Sequence, residues 1–301
     1  MMVGLFSPLE GRDRGMDREE RRKKVAGGLR RFAVSSWILS LLGTGLWTQF
    51  TSQEIAEREK WETYLETADI IGYDRPWSDR QAVTKPLRLT LEKEGLRQHA
   101  IWKNPAGRQR GYIEGWRWEI AAYRLDKYLG LNMIPPTVER RFRGDRGSCQ
   151  LMIEAMSNLR EMRRKNVEIP SDKLLVWNRN IYLQRAFDNL IANEDRHAGN
   201  YLITEDLRMI LIDHSRTFRT SKKFTEKLIF TERHESGPMV MRQLPNAFFL
   251  KLESLNLDVI RSVVGEYLTE KEIEAVLKRK DLILEEINQR IIELGKDQVL
   301  Y

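Results

Sequence analysis

At 301 residues with 41% hydrophobic content, the chain is long enough to bury a substantial core, as one two-lobed domain or two small ones. Charged residues make up 32% but are mixed in sign, which argues against global disorder, and the formal charge of +7 gathers at the amino end, where Glu10 to Arg31 carry nine Lys/Arg against five Asp/Glu. With most of the basic surplus in that tail, nucleic-acid binding by the body is not expected, and the single cysteine, Cys149, excludes an internal disulfide and paired-cysteine metal sites.

Residues 1–31 form the basic tail. They are followed by 19 residues without a formal charge, Phe32 to Phe50. That length approaches what a helix needs to cross a bilayer core of about 30 Å, and the basic flank holds the tail in the cytoplasm and sends the rest outward. Residues 32–50 are therefore read as a membrane anchor; the same pattern also fits a cleaved signal starting at Met16, or a soluble helix docked on the body. The next stretch, "TSQEIAEREKWETYLETADI", is expected to supply a polar linker helix over 51–67.

In the body, "PLRLTL" (Pro86 to Leu91), "EKEG" and "LRQHAIWK" (Leu96 to Lys103) read as a β-hairpin, with Gly95 placed for the left-handed position of its turn. "NPAGRQRG" is a loop rich in breakers. "YIEGWRWEIAAYRLDKYLG" then carries Ile113, Trp116 and Ile120 at helical intervals, with Gly130 at the expected C-terminal stop. "PPTVERRF" and "SCQLMIEAM" make a second hairpin, and Cys149 within it reads as a small buried residue. "REMRRK", Arg160 to Lys165, is read as a solvated face in preference to a docking patch. From Ser171, a candidate N-cap, "SDKLLVWNRNIYLQRAFDNLIAN" is helical. "YLIT", "EDLR" and "MILID" form a short third hairpin, and the remainder from about Asn246 is helical. Strands with one helix, then mostly helices, indicate an α+β protein with a sheet-rich lobe over 68–155, a helical lobe over 156–301 and a ligand cleft between them.

"NLIANEDRHAGNYLITEDLRMILIDHSRTF", Asn189 to Phe218, concentrates oxygen-bearing side chains among strand formers. Phosphoryl transfer needs metal ions across the phosphates, a lysine near them, and a carboxylate that orients the attacking hydroxyl. Magnesium accepts one carboxylate plus one amide oxygen and keeps several waters. Asp213, at the end of "MILID", lies across a hairpin from Asn200, so these two are the candidate metal ligands and Asp195 is free to accept a hydrogen bond from a substrate hydroxyl. Lys103 closes its strand on the face opposite Ala100 and Trp102. Glu119 sits mid-helix among apolar neighbours, where a carboxylate is costly unless paired, so a Lys103–Glu119 salt bridge is expected, with Glu114 as the competing partner. His197 and His214 lack ligand-type spacing to a third donor; His197 is expected to brace its loop by hydrogen bonds.

"DRHAGN" followed by "LIDHS" resembles the catalytic and metal-binding segments of the phosphatidylinositol 3-/4-kinase-like branch of protein-kinase-fold enzymes. "EIAAYRLDKYLGLNMIPPTV" is similar to the helix-to-strand segment of secretory-pathway kinases related to four-jointed and the Golgi casein kinase, and of HipA-type kinases. The resemblance covers roughly Ala68 to Phe218. It implies a two-lobed protein-kinase-like fold with a sheet-rich N-lobe and a helical C-lobe, binding ATP with Mg2+ or Mn2+. It further implies Asp195 as catalytic carboxylate, Asn200 and Asp213 as metal ligands, Lys103 as the phosphate-contacting lysine and Glu119 as its helix partner. Backbone groups around Glu154, Ala155 and Met156 would contact adenine. No G-x-G-x-x-G is present, so the phosphate-covering loop would be "SDRQAVTKP", with Thr84 and Lys85 as contacts. His214 stands where many relatives have Phe and Ser215 where many have Gly, which bears on the mobility of the loop that follows. The implied activity is an ATP-dependent phosphotransferase acting on a hydroxyl of a protein, glycan or lipid headgroup. The alternatives are a nucleotide-binding pseudokinase serving as a regulatory module and a membrane-tethered interaction protein.

Overall fold

Three hairpins in the first half of the chain turn on the same two-residue device, a residue followed by glycine with φ positive at both. Glu94–Gly95 (φ 52° and 78°) joins β2 to β3, Arg110–Gly111 (46° and 93°) joins β4 to β5, and Arg143–Gly144 (53° and 89°) joins β6 to β7. That handedness matches the twist of paired strands, and glycine adopts it without a Cβ penalty. The computed structural model describes residues 49–75, 85–232, 234 and 237–301, all within the unit Thr44–Tyr301.

The chain enters through α1 (Ser52–Ala56) and α2 (Arg58–Thr67), then β1 (Asp69–Asp74), β2 (Leu87–Lys93), β3 (Leu96–Lys103), β4 (Ala106–Gln109) and β5 (Tyr112–Gly115). It continues through α3 (Trp116–Leu129), β6 (Thr137–Phe142), β7 (Asp145–Leu151), β8 (Ser157–Asn158), α4 (Leu159–Arg164) and α5 (Leu174–Ile191). β9 (Tyr201–Ile203), β10 (Met209–Leu211), α6 (Lys222–Thr225), α7 (Asn246–Ser254), α8 (Leu257–Val264), α9 (Glu270–Leu294) and α10 (Lys296–Val299) complete it. The main sheet is antiparallel in the order β1-β2-β3-β7-β6; β10-β9-β8 and β4-β5 form two smaller sheets.

Alternation sorts the faces of β2 and β3. Leu89, Leu91, Ala100 and Trp102 are buried, joined by Cys149, Val138 and, from α2, Tyr64 and Leu65. Burial pushes the Cys149 thiol up to about 12, so it is an inert core residue. Lys103 lies on the opposite face. The larger core gathers α3, α5, α7, α8 and α9, with Ile120, Leu125, Phe187, Leu190, Phe248 and Ile283 among its buried members. α3 stops at Gly130 (φ 77°), as its position in the sequence suggests.

Several expectations need correction. "NPAGRQRG" is not a loop: it and "YIEG" form the β4–β5 hairpin, and helix α3 begins only at Trp116. Ser171 does not cap α5; a 3-10 turn, Ser171–Lys173, precedes it, and no side chain caps Leu174 onward. The linker over 51–67 is two helices, and α2 packs on the sheet through Tyr64 and Leu65. The 32–50 segment lies outside the described residues apart from Gln49 and Phe50, which are buried against the body. Among the described residues no helix is long and apolar enough to cross a membrane.

Candidate active site

Lys103 reaches across from the last residue of β3 to two carboxylates. Its Nζ donates to Glu119 Oε1 on α3 at 2.8 Å and to Asp213 Oδ1 beyond β10 at 2.9 Å. Burial alone would lower the ammonium pKa, but Asp213 and Glu119 outweigh it and hold the proton above the ordinary lysine range. Burial would likewise raise the Glu119 carboxyl, yet Lys103 and the His214 ring keep it well below the usual carboxylate range. The other oxygen of Glu119 accepts the backbone N–H of His214 at 2.9 Å, so one carboxylate orients both the lysine and the chain next to Asp213. Glu114, the competing candidate, pairs elsewhere.

Asp213 follows the short strand β10 with φ 61°, in the left-handed region that Asp tolerates better than most residues. β10 pairs with β9 so that Leu211 faces Tyr201, and Ile212 N donates to Asn200 O at 3.2 Å, which brings positions 200 and 213 to one end of the hairpin. Asn200 Nδ2 donates to Asp195 O at 3.0 Å, turning Oδ1 away from the loop. His197 braces that loop: its backbone N donates to Asp195 O at 2.8 Å, and Nδ1 accepts from Gly199 N at 3.1 Å. Burial raises the Asp195 carboxyl above its ordinary range, partly offset by the adjacent Arg216.

Behind the loop stands a fully buried ion pair. Arg196 donates Nε to Asp188 Oδ2 (2.8 Å) and Nη2 to Asp188 Oδ1 (3.0 Å), and Nη1 to the carbonyls of Asn200 (3.0 Å) and Ile212 (2.8 Å). Its Nη2 also lies 2.8 Å from His214 Nε2. Arginine can only donate, so Nε2 is the acceptor and the ring proton sits on Nδ1, 3.7 Å from Glu119 Oε2. Burial lowers the His214 pKa, which keeps the ring neutral. Its Nε2 lone pair is thereby committed to Arg196 and is not offered to a metal.

The segment after Asp213 is fastened rather than loose. His214, Ser215, Thr217 and Phe218 are buried; Thr217 Oγ1 donates to His214 O at 2.8 Å, and Phe218 N donates to Ile191 O. Ser215 Oγ bonds Glu114 Oε2 and Asp213 Oδ1 (3.1 Å), Gly115 N donates to Ser215 O (2.9 Å), and Arg216 Nε donates to Glu114 Oε1 at 2.5 Å while its Nη1 lies 3.2 Å from Asp195 Oδ2. A continuous chain of polar contacts thus runs Glu119–Lys103–Asp213–Ser215–Glu114–Arg216–Asp195.

Other sequence candidates fall outside this cluster. Thr84 lies outside the described residues. Lys85 is exposed with φ 45° and lines a hollow of about 370 Å³ with Arg75, Trp102, Phe142 and Arg143, which includes neither Lys103 nor Asp213. Glu154, Ala155 and Met156 lie exposed on the connection between β7 and β8.

No protein-family model matches the sequence, and no curated protein matches it. Solved structures do. The structure of hydra Fam20 with sugar aligns over 82% of this chain and 92% of its own, with a TM-score of 0.57 at 14% identity. The Golgi casein kinase aligns over 81% and 77% (TM-score 0.56, 16% identity), and its Mn/ADP-bound form over 81% and 78% (TM-score 0.55, 15% identity). The chain has an atypical protein-kinase fold.

Within this kinase fold, the fit to a divalent cation can be judged from oxygens the protein leaves unused. Asp213 Oδ1 takes Lys103 and Ser215, leaving Oδ2; Asn200 spends Nδ2 on Asp195, leaving Oδ1. One carboxylate and one amide oxygen at neighbouring positions suit a hard cation that retains water. Among the described residues no cluster of three or more His, Cys, Asp or Glu could hold a metal by itself. Asp188, Arg196, Ser215 and Arg216 are network members to which the sequence reading gave no role in the site, and Glu114 entered it only as the competing partner of Lys103. Asp188 carried the same signal as Glu119, an acidic residue among apolar helix neighbours ("RAFDNL"). Arg216 carried none.

Proposed function

We propose that this protein is an ATP-dependent phosphotransferase that transfers a phosphoryl group to a hydroxyl of a protein, glycan or lipid headgroup. The observation that carries the reading is the convergence of Lys103, held by Glu119, with Asp213, Asn200 and Asp195 in one polar network. The fold supports it at a coarser level.

In this reading Lys103 stays charged and is aimed at the nucleotide phosphates by two carboxylates. Asn200 Oδ1 and Asp213 Oδ2 would hold a divalent cation, which when bound screens the phosphate charge. Asp195 accepts the proton of the acceptor hydroxyl through Oδ1, the carboxylate oxygen that Arg216 does not take. Glu119 keeps Lys103 and the His214 backbone in register. Arg196, on Asp188, ties the Asp195 loop to the end of β10, so the base and the cation ligands are positioned as one unit.

The test is a thermal-shift titration of the full chain with ATP and magnesium, paired with turnover, since a ligand of the folded state raises the melting temperature. Asp195→Asn is expected to abolish turnover and keep the ATP-dependent shift; Asp213→Ala is expected to lose the magnesium-dependent part of the shift. Equal turnover in all three proteins rejects the roles. A shift without turnover in the wild type leaves a nucleotide-binding regulatory module.

A further inference from the structure

Arg216 is held on three sides. Nε is bonded to Glu114 Oε1 at 2.5 Å, Nη1 is 3.2 Å from Asp195 Oδ2, and the guanidinium carbon stands 3.9 Å from the centroid of the Tyr112 ring. Glu114 is itself buried and fixed by Ser215, so the arginine is anchored to the β4–β5 hairpin and not to solvent. Its side chain is only 12% exposed, and among the described residues Nη2 makes no hydrogen bond.

We propose that Arg216 is a further catalytic residue, whose guanidinium donates to the phosphoryl group in transit. The proposal rests on the phosphotransferase reading above. In that reaction the acceptor O–H gives its proton to Asp195 Oδ1. The hydroxyl oxygen bonds the γ-phosphorus as the bond from that phosphorus to the β–γ bridging oxygen breaks, and the electron pair leaves with ADP. An acceptor oxygen bonded to Oδ1 has the phosphorus about 3–3.5 Å away. A guanidinium paired with the other oxygen of the same carboxylate therefore stands beside the transfer path, with a free N–H edge. The Lys103 amine is already committed to Glu119 and Asp213, whereas Arg216 is the cation paired directly with the Asp195 carboxylate. A cation fixed before the reaction begins needs no reorganisation to stabilise charge on the transferring oxygens, and a planar fork can serve a carboxylate and a phosphoryl group together.

The full-length wild type is compared with Arg216→Gln and Arg216→Lys for binding of Mg·ADP with and without fluoroaluminate, a mimic of the phosphoryl group in flight, and for kcat and KM. Arg216→Gln is expected to keep its Mg·ADP affinity, lose the tightening that fluoroaluminate confers on the wild type, and drop kcat by roughly 100-fold or more at unchanged KM, as expected of an arginine acting on transition-state charge. Arg216→Lys, or free guanidinium added to Arg216→Gln, is expected to recover part of the rate. Intact tightening with kcat unchanged or raised overturns the proposal, the latter marking Arg216 as a plug on Asp195. Loss of Mg·ADP affinity together with kcat also overturns it, as the mark of a structural strut. A wild type without magnesium-dependent turnover sinks the phosphotransferase reading and this proposal with it, whereas turnover that needs Asp195 but not Arg216 sinks the proposal alone.

Discussion

The Lys103 side chain is 12% exposed and that of its Glu119 partner 3%, a degree of burial at which a lone charge would be expelled or neutralised. Neither happens because each neutralises the other, with Asp213 as a third member. Removing the cation alone should therefore cost more than losing one ion pair: Lys103→Met strands two carboxylates, and breaking a buried pair from one side costs about 3 kcal/mol or more. Glu119→Gln strands the lysine less, because Asp213 remains. Urea unfolding of both single variants and of the double Lys103→Met/Glu119→Gln should show the double variant more stable than the sum of the singles allows, by about 1–3 kcal/mol. Strict additivity would mean that the two side chains are not coupled. The same cost argument made Glu119 legible in the sequence. It applied equally to Asp188, whose partner Arg196 is fully buried with it. The sequence reading preferred Glu119 to Glu114 as the partner of Lys103, and the structure pairs Lys103 with Glu119. The fold gives Glu114 its own partners, Ser215 and Arg216.

At the scale of elements, the strands were legible where hydrophobic alternation and a turn residue agreed, as in β2–β3, β6–β7 and β9–β10. The β4–β5 hairpin was hidden because Ile113, Trp116 and Ile120 are spaced like one helix face. Ile113 is in fact 49% exposed on a strand, and only the latter two are core. The overlooked signal was Arg110–Gly111, the same residue-plus-glycine turn as Glu94–Gly95 and Arg143–Gly144. Nothing lies within 4 Å of a Cβ added at Gly95, Gly111 or Gly144, so an alanine there meets only the penalty of positive φ. Each Gly→Ala change is expected to cost about 1 kcal/mol, read by urea unfolding. Gly111→Ala should in addition lower turnover, because its hairpin carries Glu114 and through it Arg216, while Gly95→Ala at the remote turn should not. Equal turnover loss at both glycines would show that the hairpin has no special link to the site. Arg279 secures the facing elements in a way no pattern announces. Buried on α9, with burial pulling its pKa down to about 9, it donates to Leu190 O at the end of α5 and to Arg219 O beyond the fastened segment, both at 2.7 Å.

Across the described body, the polar network draws on both the sheet (Lys103) and the helical part (Asp195, Asp213), so the separation of the two matters as much as the identity of their residues. Residues 49–68 strap the two together. At one end Gln49 Oε1 accepts Met209 N at 2.6 Å, and Arg208 Nη1 reaches both Gln49 O (3.1 Å) and Glu54 Oε2 (2.6 Å), gripping β10, the strand that delivers Asp213. Midway, Phe50 N donates to Asn132 O (3.1 Å) and Arg58 Nη1 to Asn132 Oδ1 (2.9 Å). At the other end Tyr64 Oη lies 2.9 Å from Leu91 O and 3.0 Å from Leu96 O, sharing its one proton between carbonyls of the hairpin that ends in Lys103, and Arg140 donates to the carbonyls of Leu65 and Ala68. The stretch expected to be a mere linker is thus a spacer between the lysine and its aspartate. Gln49→Ala leaves the buried Met209 N–H unpaired, a loss of about 1–3 kcal/mol. Leu211 N keeps its bond to Met133 O (2.8 Å), but with the Met209 anchor gone hydrogen exchange should quicken at Met209 before it does in α9, and the thermal shift given by ATP and magnesium should shrink although no residue of the polar network has changed. A Gln49→Ala protein with wild-type exchange at β10 and a full nucleotide shift would show that the strap does not set the geometry of the polar network.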